Sequence, residues 1–158
     1  MKKITISIVS MLGGAAAAAV AVKRSAVNSL EMQQNVSEKH LALFLMMNQW
    51  VAVKQQGKNL AEYFEEMQYK KIAIYGMGYA GERLLEELKG SGIDVKYGID
   101  RNSDIMNSDI DIVTPDDELE PVDAIVVTPV FSYDEIERKL TKKVSCPVIS
   151  LEDILYLI

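Results

Sequence analysis

The chain has 158 residues, 49% apolar and 25% charged, with a net charge of −6. That length suits one domain with an appendage, that composition excludes a wholly disordered chain, and the acidic balance argues against a nucleic-acid partner. One cysteine, Cys146, and one histidine, His40, exclude an internal disulfide framework and Cys- or His-cluster metal sites, and leave little for a histidine-based triad.

The charge is unevenly spread. Residues 1–24 carry +4 from Lys2, Lys3, Lys23 and Arg24; residues 25–69 carry −2; residues 70–158 carry −8. Three expected regions follow: a membrane anchor or signal segment (1–24), a linker and helical connector (25–69), and a globular domain (70–158).

Residues 4–22 form a run of nineteen without a charge. As a helix they would reach about 28 Å, close to one hydrocarbon thickness. The length favours a transmembrane anchor. The alternative is a signal peptide, with Lys2-Lys3 as its basic start and Ala19-Val20-Ala21 as a cleavage site. Lys2, Lys3 and the amino terminus on one side nearly balance Lys23, Arg24 and Lys39 on the other, so the positive-inside rule leaves the orientation open. Gly13 and Gly14 with Ala17 and Ala18 make small-xxx-small pairs of the kind that let helices pack closely.

Residues 25–36 are polar and lack a sustained period, which predicts a linker. Ser37 can cap a helix starting at Glu38. From Leu41 to Val53 only Asn48 and Gln49 are not apolar. A helix apolar nearly all round has to be covered. The cover is either the following domain or a second copy, in a homodimer seam within residues 38–56 built on Leu43, Met46, Met47 and Trp50. Insertion into a membrane surface is a third option, disfavoured by the sparse Lys/Arg on the polar face. Gly57 ends this helix, and Asn59-x-x-Glu62 resembles a capping box opening a short helix from Leu60 to Met67. No chemistry is assigned to His40.

The globular region opens with a short apolar strand, Lys71 to Tyr75, running into Gly76-Met77-Gly78-Tyr79-Ala80-Gly81. A helix follows from Tyr79 to Lys89, with Leu84, Leu85 and Leu88 on one face, and stops at Gly90-Ser91-Gly92. Val95 to Ile99 is a second strand, ending at Asp100, nineteen residues after Gly81. Strand, glycine-rich turn, helix, strand and terminal acid together give the context that G-x-G-x-x-G needs before it points to a dinucleotide. Gly76 permits the tight turn, Gly78 leaves room for a pyrophosphate against the backbone, and Gly81 lets the helix approach the sheet. The amides of Met77, Tyr79 and their neighbours at the helix start would attract the phosphates. Asp100 can accept hydrogen bonds from the ribose hydroxyls. Arg101 could pair with a 2′-phosphate that Asp100 would repel, so NAD is favoured and NADP remains open. Glycines kept only for the turn and the packing are the ligand-free alternative.

Further along, Ile110 to Val113 reads as a third strand and Ala124 to Val127 as a buried central parallel strand. Ser132-x-x-Glu135 opens a helix to about Lys142, Pro147 to Ile149 is a last strand, and Ser150-x-x-Asp153 starts a terminal helix. The expected fold is α/β, a Rossmann-like doubly wound parallel sheet of order 3-2-1-4-5. Its ligand crevice lies between the first and fourth strands, lined by Thr128, Pro129 and Val130. Thr128 either bonds a ligand or ends the strand.

Catalytic groups are scarce. Residues 70–158 contain no histidine, Tyr79-x-x-x-Arg83 is the nearest thing to a Tyr-x-x-x-Lys pair, and Cys146 reads as a small hydrophobe. The acids at Asp116, Asp117 and Glu118 read as a solvated loop. No catalytic residue and no metal ligand is assigned.

The stretches Lys71 to Gly81, Tyr97 to Asp100, Asp123 to Pro129 and Val148 to Asp153 resemble small NAD(P)-binding Rossmann-like domains of bacterial polysaccharide and nucleotide-sugar proteins. Examples are the amino-terminal domain of sialic acid O-acetyltransferase-like enzymes and the membrane-linked domain that precedes polysaccharide epimerases. Residues 37–69 with this domain look like a group of Firmicute-type proteins. The resemblance implies a nucleotide or nucleotide-sugar held at Gly76, Gly78, Gly81 and Asp100. The family's transferase or epimerase domain is not matched, so an enzymatic role is left open. The expected function is a membrane-tethered, cytosol-facing nucleotide-binding module with an accessory or sensing role in cell-envelope sugar metabolism. The alternatives are a dehydrogenase or epimerase subunit completed by a partner chain and a ligand-free interaction domain, which export would favour.

Overall fold

A computed structural model describes residues 32–103 and 108–158. The expected anchor or signal, residues 4–22, lies outside them. Among the described residues no helix is long and apolar enough to cross a membrane.

Residues 32–40 are helical and exposed. This corrects the expected linker and helix start: Ser37 lies within helical residues and opens no helix. Met32, Gln33 and Gln34 are good helix formers, and a helix that is polar all round leaves no period in the sequence. The compact unit begins at Leu41. Its first helix, α1, covers residues 41–55, and Gly57, at φ 78°, turns the chain out of it. Helix α2 (Leu60–Glu66) follows. Asn59 Oδ1 accepts from the Glu62 amide at 3.1 Å, the expected N-cap, while Glu62 Oε1 accepts from the Asn59 side-chain amide at 2.6 Å and not from its backbone N–H, so only the first half of the capping box forms.

The remaining elements alternate as expected: β1 (Lys71–Tyr75), α3 (Tyr79–Leu88), β2 (Asp94–Ile99), β3 (Ile112–Val113), β4 (Ala124–Val127), a 3-10 turn (Val130–Ser132), α4 (Tyr133–Leu140), β5 (Val148–Ser150) and α5 (Leu151–Leu157). The five strands form one sheet in the order β3-β2-β1-β4-β5, and every pairing is parallel. β3 is only two residues long, shorter than its sequence pattern suggests. Ser132 makes no side-chain cap to α4, because the 3-10 turn already leads the chain into that helix. Ser150 caps α5 as expected, accepting from the Asp153 amide.

Alternate strand residues feed two cores, as the period of two requires. Ile72, Ile74, Ala124 and Val126 pack under α1, α2, α3 and α5. Ala73, Tyr75, Tyr97, Ile99, Ile125 and Val127 pack under Ile136 and Leu140 of α4. The fold is therefore α/β with helices on both faces of a parallel sheet.

Among the described residues, the greasy helix is covered on one side only. Met46, Trp50 and Val53 are buried in the first core, and Leu43 and Met47 pack partly against it. The domain thus takes Met46 and Trp50, two of the four residues expected at a dimer seam. Leu41, Phe44, Leu45 and Val51 remain exposed on the same helix.

Glu87 of α3 ties this layer together. Its carboxylate accepts from Trp50 Nε1 at 2.6 Å and from the Leu60 amide at 2.8 Å, and pairs with Lys54 Nζ at 3.1 Å. One side chain thereby holds α1, the first turn of α2 and α3 together.

Candidate nucleotide site

β1 delivers the chain to the carboxyl edge of the sheet, between β2 and β4, where the strand order reverses. In open α/β sheets that is the place where ligands bind. Gly76 turns the chain at φ 90°, in the left-handed region, and its amide donates to Ile99 O at 2.8 Å. A side chain there would also strike Pro129 Cγ and Cδ at 2.7 Å and Thr128 Oγ1 at 2.8 Å. Gly81 lies so close to the Gly76 carbonyl that a Cβ would collide with it. These two glycines answer demands of the fold itself.

Gly78 is different. A Cβ there would meet nothing within 4 Å, and its φ of −73° suits any residue. It is the N-cap of α3 and has no side chain to cap the first turn. The Glu82 amide opens the helical ladder on Gly78 O at 3.0 Å. The amides of Tyr79, Ala80 and Gly81 precede that first rung, beside open space, at the positive end of the helix. The dipole suits an anion at that end.

Of the two side chains flanking Gly78, Met77 packs inward and Tyr79 stands exposed to solvent. Met77 is 3% exposed, tucked into the core over Gly98, whose missing Cβ would meet its Cγ at 2.7 Å. Tyr79 is 78% exposed. Gly98 is the residue that the sequence reading passed over. A glycine inside a strand marks a close approach, and here the approach is that of the turn's own methionine.

Asp100 reaches the turn as the spacing implies. Its Oδ2 accepts from the Met77 amide at 2.9 Å and its Oδ1 from the Asn102 amide at 3.0 Å. The carboxylate is half-buried and fixed beside the glycine turn. Each oxygen keeps a lone pair that could meet a ribose hydroxyl.

Thr128 takes the structural one of its two expected roles. It is buried, and its hydroxyl donates to Gly76 O at 2.6 Å, clamping the end of β4 to the turn. Arg101 is exposed and lines a separate cavity of about 630 Å³ on the α4 side of the sheet, with Tyr75, Thr114, Ile136, Lys139 and Lys142 among its other walls. The turn, Asp100 and Thr128 are thus brought together, and Arg101 faces the adjoining space.

Other titratable groups nearby serve the scaffold. Burial pushes the Tyr97 phenol up to about 12, and its hydroxyl donates to Glu120 O at 2.7 Å. Burial, then the bond to Glu137, likewise lifts Tyr133 to about 12. Burial also raises the Cys146 thiol, which suits a packing role. At the opposite edge the Lys71 and Lys70 amides hold the Asp123 carboxylate below its usual range. Among the described residues no group of acids, cysteines or histidines is arranged to hold a metal ion.

No family model, curated protein or solved structure matches the chain.

Proposed function

We propose that this chain is a nucleotide-binding module taking NAD(H) or a related adenine nucleotide, with an accessory or sensing role. The observation that carries the reading is the exposed N-cap at Gly78, which bears no side chain. It precedes the uncapped first turn of α3, with the Asp100 carboxylate fixed beside it. A pyrophosphate on the amides and a ribose on Asp100 would use both features.

The test is a thermal-shift panel on the full chain with NAD, NADP, coenzyme A, S-adenosylmethionine and UDP-sugars. A ligand at 100 times its dissociation constant should add about 2.7 kcal/mol. If no member of the panel moves the melt, the nucleotide reading fails. One observation favours the ligand-free alternative. Both Asp100 oxygens and the Thr128 hydroxyl already have partners within the chain, so the turn is complete without a guest.

The proposal extends to place and partner. The charge-free run at residues 4–22 supports a membrane tether, and the cytosolic supply of nucleotides supports a cytosol-facing domain. The exposed Leu41, Phe44, Leu45 and Val51 support a homodimer through the outer side of α1 within residues 38–56. Phe44→Glu should then lower the mass seen by sedimentation velocity, with the melt unchanged. An unchanged mass removes α1 as the seam. The resemblance to polysaccharide-associated domains supports a setting in envelope sugar metabolism, whether alone or beside a partner enzyme.

A further inference from the structure

Helix α1 has two sides with different partners. Met46, Trp50 and Val53 face the first core, while Leu41, Phe44 and Val51 lie on the opposite side at 56%, 65% and 53% exposure. With Asn48 and Gln55, both exposed, the outer side reads Leu41, Phe44, Asn48, Val51, Gln55, in alternating steps of three and four. That is the a/d spacing of a heptad, the pattern by which one helix packs along another. Its flanks carry Leu45 and Ala52 on one edge and Met47 and Lys54 on the other. Lys54 is the single charge in residues 41–55, and it is taken up by Glu87 of its own chain at 3.1 Å. Two such stripes brought together therefore set no like charges against each other.

Asn48 sits in the middle of the stripe, at an a position. Its side chain carries both donors and an acceptor. In a parallel pair in register, a positions face a positions, so each Asn48 meets the Asn48 of the other copy and the two amides satisfy one another. In an antiparallel pair it would face Phe44 or Val51 and lose its water to hydrocarbon. A cavity of about 600 Å³ between α1 and α3 borders the same stripe, lined by Val51 and Gln55 from the stripe and Met47 and Lys54 from its flank. It gives the side chains of a seated helix a place to enter. The inner side already holds α1 as a helix, so pairing carries no cost of forming one.

We infer that α1 docks a second copy of this chain as a parallel two-stranded helix pair in register at Asn48, and that Asn48 selects this partner and direction. The inference rests on the homodimer and tether readings above and adds the direction, the register and the selecting residue. Leu41 comes nineteen residues after Val22, the end of the charge-free run. Copies tethered by that run are held by the same end of the chain. The tether therefore brings like ends of α1 together and raises their local concentration, which a seam of only about two heptads needs.

Disulfide cross-linking of the full chain in mild detergent, in a C146S background and beside sedimentation velocity, tests this. L41C and Q55C, at the two ends of the stripe, should each form a dimer linked to itself, because like positions of a parallel pair come within disulfide reach. Adding N48D to either sets two carboxylates against each other and should cut the linked fraction about tenfold or more, with the melt of the domain unchanged. A dimer in which either cysteine fails to link to itself overturns the inference and leaves the homodimer reading standing, as an antiparallel pair or a seam elsewhere would. Linking that N48D does not reduce also overturns it. A chain that sediments as a monomer and links at neither position removes both readings together.

Discussion

On one face of the sheet, Ile72, Ile74, Ala124 and Val126 lie beneath four helices; on the other, Ala73, Tyr75, Ile125 and Val127 lie beneath α4 and the chain around Leu119 and Val122. The central strands of a parallel sheet are apolar on both sides and need cover on both. The first face meets that need with interlocked helices and a carboxylate hub at Glu87. The second meets it with one helix and with tyrosines whose hydroxyls reach backbone carbonyls, Tyr97 to Glu120 and Tyr133 to Val148. The space beside that single helix remains open, and the cationic cavity lies there. The helix-rich face has room as well, a cavity of about 600 Å³ between α1 and α3 lined by Met47, Trp50, Lys54 and Glu87, so the two faces differ in what covers them more than in the space they leave.

Four changes test this contrast, the largest expected effect first. Glu87→Ala removes the partner of the Trp50 indole, the Leu60 amide and Lys54 at once. Stranding groups around a side chain only 12% exposed should cost about 3 kcal/mol in urea unfolding, and Trp50 emission should shift. A loss below about 0.5 kcal/mol would mean that the hub does not hold the four-helix layer together.

Thr128→Val keeps the shape and removes the bond to Gly76 O. The expected loss is about 1–2 kcal/mol, with any nucleotide affinity falling because the glycine turn is no longer clamped to β4. Gly78→Val tests the edge that the two faces share. Stability should fall by about 1 kcal/mol, because valine is a much poorer N-cap than glycine, while the ligand-induced shift in the melt disappears. Loss of the fold in that variant would show that Gly78 is packed after all.

The smallest effect is a dependence on pH confined to the α4 face. Tyr97 and Tyr133 both titrate near 12 in the folded chain, above the ordinary 10. A raised folded value gives stability that is fully present below pH 10 and is lost as the pH climbs through 12. Unfolding should steepen across that window, and hydrogen exchange should quicken in α4 before α3. Tyr97→Phe should flatten the profile. A profile unchanged by that substitution removes Tyr97 from the account.

Much of this fold was legible in the sequence because its signals are local. The spacing from Lys71 to Asp100 specifies a strand, turn, helix and strand whatever surrounds them, and the Ser150 and Asn59 caps are read within four residues. The order of the strands follows from the same pattern and the rules for parallel connections. What escaped depends on distant partners. Nothing near Thr128 in sequence says that its hydroxyl will meet Gly76. Glu87 looks like one more charge on the outer side of α3 until α1 folds over it. The cavity draws on Tyr75, Arg101, Thr114 and Lys142, which no single window contains. The helix at residues 32–40 escaped for the opposite reason, since a polar helix leaves no periodic trace.

The three glycines of the turn have unequal histories ahead of them. A descendant that stopped using any ligand would still keep Gly76 and Gly81, because the turn of the chain and the seat of α3 on β1 forbid anything larger. Position 78 would then answer only to the N-cap of α3, where serine, asparagine and aspartate serve as well as glycine, so a capping side chain at 78 is the change that a ligand-free descendant would show.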